Sequence, residues 1–327
     1  MKKRFISTAL AFVLFVTTLA LPSSADSSAD ENGDIFLISA SAGQHGMYEY
    51  DLETNTETYI PNDTPELFNT PLEKDFTDIE SMLESLGKTP KMSDNRTAVY
   101  NPSGYEKSTC LLGARFSDNF VEKGTGFLIN NRYLFTAAHI VYKPNYTLNG
   151  NKGYAKHVAV YPGASNGNKL AYKKATRYWI GGDYKANCSG NNYEALGMFD
   201  DWAVLELESS LSLNISYLNV RATNSFSDMK GKSYNSQGYP SELQTAAKWD
   251  DWTMYKVSGT INQVMSAPRF LPVAASDNIK ISGGQSGSPL YRAGAAEAIA
   301  VASNSTTSCF ILINEWLYNK VQELWSV

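Results

Sequence analysis

The stretch Ser282-Gly-Gly-Gln-Ser-Gly-Ser-Pro-Leu290 decides how this chain is read, because a serine set among glycines gains chemical meaning once a base and an acid are found for it. Two earlier segments supply them, Thr136-Ala-Ala-His139 and Asp201-Trp-Ala-Val-Leu205. A serine hydroxyl is a poor nucleophile at neutral pH unless a neighbouring base takes its proton, and that base must be held in one tautomer by a third group. Ser286, His139 and Asp201 are the residue types those roles require. Attack on a carbonyl also builds charge on oxygen, which fixed backbone N–H donors meet best. The glycines beside Ser286 allow the unusual backbone angles such donors need, and the amides of Gly284 and Ser286 are the expected pair.

The remaining titratable groups narrow the choice. The only histidines are His45, His139 and His157, and His157 alternates with apolar residues in His157-Val-Ala-Val-Tyr161, as on a strand surface or core edge. Asp200 is a neighbour of Asp201, but the orienting carboxylate is expected directly before the strand Trp202–Leu207, which makes Asp200 a solvated loop acid. An α/β-hydrolase runs serine, acid, histidine and places its serine in Gly-x-Ser-x-Gly. Here no histidine follows Ser286, and Ser288 stands where the second glycine would be. With no His-Glu-x-x-His and no paired-cysteine spacing, no zinc site and no cofactor is expected, while a structural calcium ion stays open because Asp and Asn loops are plentiful. Cys110, Cys188 and Cys309 are odd in number, so any one pairing leaves a thiol over, and all three reduced is equally open.

These blocks resemble the bacterial glutamyl endopeptidase branch of the chymotrypsin-like serine proteases. The resemblance rests on Gly124-Thr-Gly-Phe-Leu-Ile129 before Tyr133-Leu-Phe-Thr-Ala-Ala-His139, on Asp201-Trp-Ala-Val-Leu-Glu-Leu207, on Gly238-Tyr-Pro240 and on Ser282 to Leu290, and covers roughly the last two thirds of the chain. It implies an all-β fold of two antiparallel six-stranded β-barrels, with His139 and Asp201 on the first, Ser286 on the second and the active site between them. It also implies a secreted serine endopeptidase acting on proteins or peptides through an acyl-enzyme. A protease-fold toxin or binding protein, with an intact triad and a very narrow target, is the alternative. Glutamate-selective relatives place a histidine in the strand after the nucleophile and a threonine five residues before it. Here those positions are Ala302 and Ile281, and a buried substrate carboxylate without partners is costly, which argues against simple glutamate selectivity. Lys280 is a candidate for the pocket floor, and Ser303 and Asn304 are expected to line its wall or pair with substrate backbone as an added strand.

The amino terminus has the form of an export signal. Met1-Lys-Lys-Arg4 precedes an apolar run from Phe5 to Leu21 and a small-residue site at Ser23-Ser-Ala25, so residues 1–25 are expected to be a signal peptide. Residues 26–91 carry 15 acidic residues against 3 lysines, whereas 92–327 carry 22 basic and 18 acidic residues. The two parts should attract, and an acidic propeptide over 26–91 is expected to partner the protease domain over 92–327 until processed. A partly disordered, solvated spacer is the other reading of so charged a segment. Ser93-Asp-Asn-Arg-Thr97 is similar to the start of mature family members, which points to cleavage after Lys91, with Lys88 and Arg96 as competing positions. Once the signal is removed, the chain is expected to be an extracellular monomer with no nucleic-acid or membrane partner.

Short apolar runs at 109–116, 126–129, 133–137, 157–161, 202–207, 298–302 and 309–313 are separated by Gly, Asn, Ser and Asp clusters, the pattern of an antiparallel all-β chain. Leu317, Val321 and Leu324 repeat at helical spacing and predict a terminal amphipathic helix.

Overall fold

A computed structural model describes residues 46–62, 93–146, 150, 152–189, 192–193, 200–223, 229, 231–265, 273–304 and 308–325. The expected signal peptide, the rest of the expected propeptide, and the cleavage positions at Lys88 and Lys91 lie outside the described residues.

The apolar runs become strands of two antiparallel sheets. In the first, β4 (Thr109–Ser117) and β5 (Phe120–Leu128) form a hairpin, followed by β6 (Tyr133–Thr136), β7 (His157–Pro162), β8 (Lys173–Gly181) and β11 (Ala203–Leu207). The order is β11-β6-β5-β4-β7-β8, and pairing of β8 back to β11 closes the six strands into a barrel. Closure removes both sheet edges and lets alternate side chains fill the interior. Leu112, Leu128, Leu134, Val160 and Leu205 do so, all fully buried.

The second sheet is built from β13 (Ser233–Gly238), β14 (Met254–Thr260), β15 (Gln263–Met265), β16 (Val273–Ala275), β17 (Pro289–Arg292), β18 (Glu297–Asn304) and β19 (Cys309–Leu312). Its order is β15-β16-β19-β18-β17-β13-β14, extended at the β14 edge by β3 (Thr97–Val99). Val257, Leu290, Ala300 and Phe310 pack within it. A further cluster joins Phe127, Phe135 and Trp202 of the first barrel to Val301 and Ile311 of the second sheet. The predicted terminal helix, Glu315–Trp325, adds Trp316, Leu317 and Val321 to that cluster.

One element departs from expectation. Gly46–Asp51 (β1) and Thr56–Pro61 (β2), inside the segment where charge suggests a propeptide or a disordered spacer, form a hairpin that pairs with β8. The charge of the whole segment conceals a local run of strand formers: Tyr48, Tyr50, Thr56, Thr58, Tyr59 and Ile60.

Candidate active site

Register brings His139 and Asp201 together. β11 pairs with β6 so that Ala203 faces Thr136 and Val204 faces Phe135. Carried two residues beyond that ladder, the same register sets Asp201 against Ala138, beside His139. After β6 the chain makes one helical turn, Ala138–Val141, and the His139 side chain emerges there with its residue 9% exposed. The backbone N–H of His139 donates to Asp201 Oδ1 at 2.8 Å, and the ring Nδ1 lies 2.6 Å from Oδ2. Ser303 Oγ donates to the same Oδ2 at 2.7 Å.

Asp201 is 1% exposed, and a buried carboxylate is tolerable only when donors surround it. These three contacts do that. They also fix the chemistry of the ring, because a carboxylate oxygen accepts and Nδ1 therefore carries the hydrogen. Neutral His139 then presents its lone pair at Nε2.

Ser286 reaches the same place through two glycines. Gly284 and Gly287 have φ of +90° and +87°, the left-handed region that favours glycine. A Cβ on Gly287 would overlap the Thr125 carbonyl and the Thr136 hydroxyl and crowd the Ala137 nitrogen. Only a glycine lets the Ser286 loop lie against the end of β6, two residues ahead of His139. Thr125 of β5 pins the loop twice, its N–H to the Ser286 carbonyl and its hydroxyl to the Gly284 carbonyl, both at 2.8 Å. The Gly287 N–H donates to Ala302 at 2.7 Å. The peptide planes that carry the Gly284 and Ser286 amides are held separately, the Gly283 carbonyl accepting the Ser241 N–H at 2.7 Å and the Gln285 carbonyl the Ser288 N–H at 2.9 Å.

Asp200 is not a solvated loop acid. It is 6% exposed; its Oδ2 accepts the backbone N–H of Asp183 at 2.9 Å and of Tyr184 at 3.4 Å, and its Oδ1 accepts Trp202 Nε1 at 2.5 Å. It caps the short helix Gly182–Asn187, so its partners come from the far end of β8. Burial, followed by the nearby Asp183 charge, raises its pKa well above the usual carboxylate range.

The remaining candidates separate. Ser303 is held at Asp201. Ile281 and Ala302, 3% and 0% exposed, are enclosed in the core of the second sheet and face away from solvent. The Lys280 ammonium lies 3.3 Å from Asp94 Oδ2. Asn304 ends β18, paired with Cys309. His157 sits on β7 with Nε2 3.1 Å from the Tyr172 hydroxyl. No disulfide joins Cys110, Cys188 and Cys309, and burial pushes the Cys110 thiol far up.

Arg96 is the residue that sequence reasoning missed, having placed it only among competing cleavage positions. Its side chain is 0% exposed. Nη1 donates to Gln285 Oε1 and to Ser282 Oγ, each at 2.7 Å, and Nη2 donates to Asp94 Oδ2 and Glu242 Oε1, each at 2.6 Å. Gln285 immediately precedes Ser286 and is fully buried, so Arg96 braces the nucleophile loop from behind. The guanidinium beside Asp94 holds that carboxyl well below its usual range. Of its partners, Glu242, Ser282 and Gln285 lie 146 to 189 residues away, beyond the reach of any local spacing.

Comparison with known proteins agrees with this geometry. A protein of Bacillus subtilis (strain 168) described as an extracellular metalloprotease is 25% identical over 222 residues, 66% of this chain. The chain spans 62% of the length of that relative. Among solved structures, a Glu endopeptidase in complex with MPD superposes with a TM-score of 0.56 at 18% identity, covering 73% of this chain and 100% of its own. A structure described as HL collagenase gives 0.52 at 16% identity, covering 72% and 99%. At those identities the two solved structures speak for the fold. The family model described as trypsin-like peptidase domain matches residues 124–301, more than half the chain and including all three triad candidates, and the chain therefore belongs to the trypsin-like peptidase family.

Proposed function

We propose that this chain is a secreted serine endopeptidase, made as a precursor, in which Ser286 is the nucleophile, His139 the general base and Asp201 the residue that orients it. The observation that carries the proposal is the buried His139–Asp201 pair, with Nδ1 at 2.6 Å and the backbone N–H at 2.8 Å from the two carboxylate oxygens. Ser286 Oγ forms a bond to the substrate carbonyl carbon while its proton passes to Nε2 of His139. The oxyanion receives the Gly284 and Ser286 amides. Collapse breaks the peptide bond, and the amine leaves with the proton from Nε2. A water molecule then repeats the sequence on the ester and frees Ser286.

Secretion rests on the form of residues 1–25 and on the extracellular description of the Bacillus relative. That relative is also described as a metalloprotease. Among the described residues no group of three or more His, Cys, Asp or Glu side chains converges to hold an ion, so the donor set does not fit and no step is routed through a metal. The apolar, enclosed Ile281 and Ala302, together with the Lys280–Asp94 pair, supply no obvious seat for a substrate carboxylate.

The test is Ser286→Ala, mapped by mass spectrometry of cleavage sites in a denatured protein mixture. The variant is expected to lose on the order of a million-fold in kcat while keeping its fold. Unchanged cleavage would sink the assignment. A folded, processed wild-type protein that makes no cuts would favour the narrow-target toxin or binding reading.

A further inference from the structure

The β1–β2 hairpin occupies a particular gap. β7 covers one side of β8 only over Lys173–Ala175, and from Arg177 to Gly181 that same side is covered by β1. The Leu52 N–H donates to the Thr176 carbonyl at 2.9 Å, where the two covers meet. β1 is buried through both of its faces. Met47 packs into the cluster that contains Trp179 and Trp202, while Tyr50 enters the barrel interior and stacks on Tyr154 with ring centroids 4.2 Å apart.

Charge follows the same division. Residues 46–61 contain four acids, Glu49, Asp51, Glu53 and Glu57, and no lysine or arginine. The barrel answers with Arg177, which bonds Glu49 and Asp51 at 3.2 and 3.1 Å, and with Lys185, which pairs with Glu57 and lies over the Tyr48 ring at 4.2 Å. The hairpin also adjoins the triad acid. Met47 pairs with Gly181, whose N–H donates to the Trp202 carbonyl next to Asp201.

We propose that residues 46–61 are a strand-adding clamp for the first barrel, and that once the chain is cut between Pro61 and Asp94 the piece carrying them stays seated on β8 as a second, noncovalently held chain. The proposal rests on the precursor reading above and deepens it. The propeptide works through the barrel that carries His139 and Asp201, completing a seam and supporting the Asp201 loop. Strand addition gives register and affinity through main-chain bonds, and the side-chain pockets give specificity. Losing the hairpin would leave one edge of β8 unpaired along Arg177–Gly181, with β11 still on the other, and leave the Tyr154 ring without its stack.

The experiment uses the full chain carrying Ser286→Ala, with a site-specific protease sequence inserted after Lys91. The added protease makes the cut, and native mass spectrometry and size exclusion at micromolar concentration report whether the two pieces remain together. The wild-type hairpin piece is expected to co-elute with the protease domain. Tyr50→Ala should weaken its retention on the order of a hundredfold, and Glu53→Ala, in the exposed hairpin turn, should leave it unchanged. If Tyr50→Ala misfolds before cutting, Glu57→Lys sets a second ammonium against Lys185 and should weaken retention about tenfold. Complete separation of the wild-type pieces, or equal retention in the hairpin variant and the Glu53→Ala control, overturns the clamp. Because an added protease cuts an inert variant, this result is independent of the peptidase assignment, which stands or falls on Ser286-dependent cleavage.

Discussion

The first barrel and the second sheet each receive a strand from the amino-terminal part of the chain, and the two hold it by different means. The first barrel takes the hairpin 46–61 through a five-pair backbone register, two buried side chains on opposite faces and ion pairs at the rim. The second takes Asp94–Val99 through the three pairs of β3 and through Arg96, a cation enclosed among Asp94, Glu242, Ser282 and Gln285. The hairpin is gripped at many modest points. The 94–96 segment depends on one enclosed cation, which bonds the buried Gln285 as well as the partly exposed Asp94 and Glu242. A distributed grip loses little with any single rim contact, whereas a concentrated one fails together.

The largest expected effect tests the concentrated grip. Arg96→Ala removes a buried cation and takes one donor from each of Gln285 and Ser282 behind Ser286. Breaking a buried pair costs several kcal/mol, and because Asp94 and Glu242 keep some water the loss should be about 3 kcal/mol, seen as a lower midpoint in urea. kcat should fall with it. A stable variant of full activity would show that the nucleophile loop is held without Arg96.

The acid limb of stability comes next. Asp94 has a folded pKa depressed by Arg96, so its contribution is present above the unfolded carboxylate value near 4 and is lost as pH falls through the folded one. Thermal midpoints between about pH 5 and pH 2 should fall more steeply in the wild type than in Asp94→Asn. Parallel slopes would remove Asp94 from the account. The smallest effect is expected from Glu57→Gln at the rim of the hairpin, where a partly exposed pair contributes about 1 kcal/mol or less. A loss as large as that of Arg96→Ala would erase the contrast.

The same contrast marks what the sequence made legible. Strands buried on a core face announce themselves as apolar runs bounded by turn residues, and β4, β6, β7 and β11 stand within a few residues of where those runs lie. The His139–Asp201 pairing was legible because each residue sits in a short local motif, and the structure brings the two within 2.6 Å. The hairpin was not, since net charge averaged over the acidic segment outweighed six strand-forming residues. Asp200 read as solvent-facing because the backbone donors that bury it belong to a helix 16 to 17 residues earlier. Ile281 and Ala302, singled out by resemblance, are enclosed in the core of the second sheet.

Thr125 carries one more consequence. It is a residue of the first barrel, yet its N–H and its hydroxyl both terminate on the loop that bears the nucleophile, and its carbonyl is what a Cβ at Gly287 would strike. The barrel is therefore not the unit that can be exchanged between related chains. A chimera joining this second barrel to a foreign first barrel would inherit Ser286 without the strand that sets its height, and the smallest transferable module is the Ser286 loop together with β5.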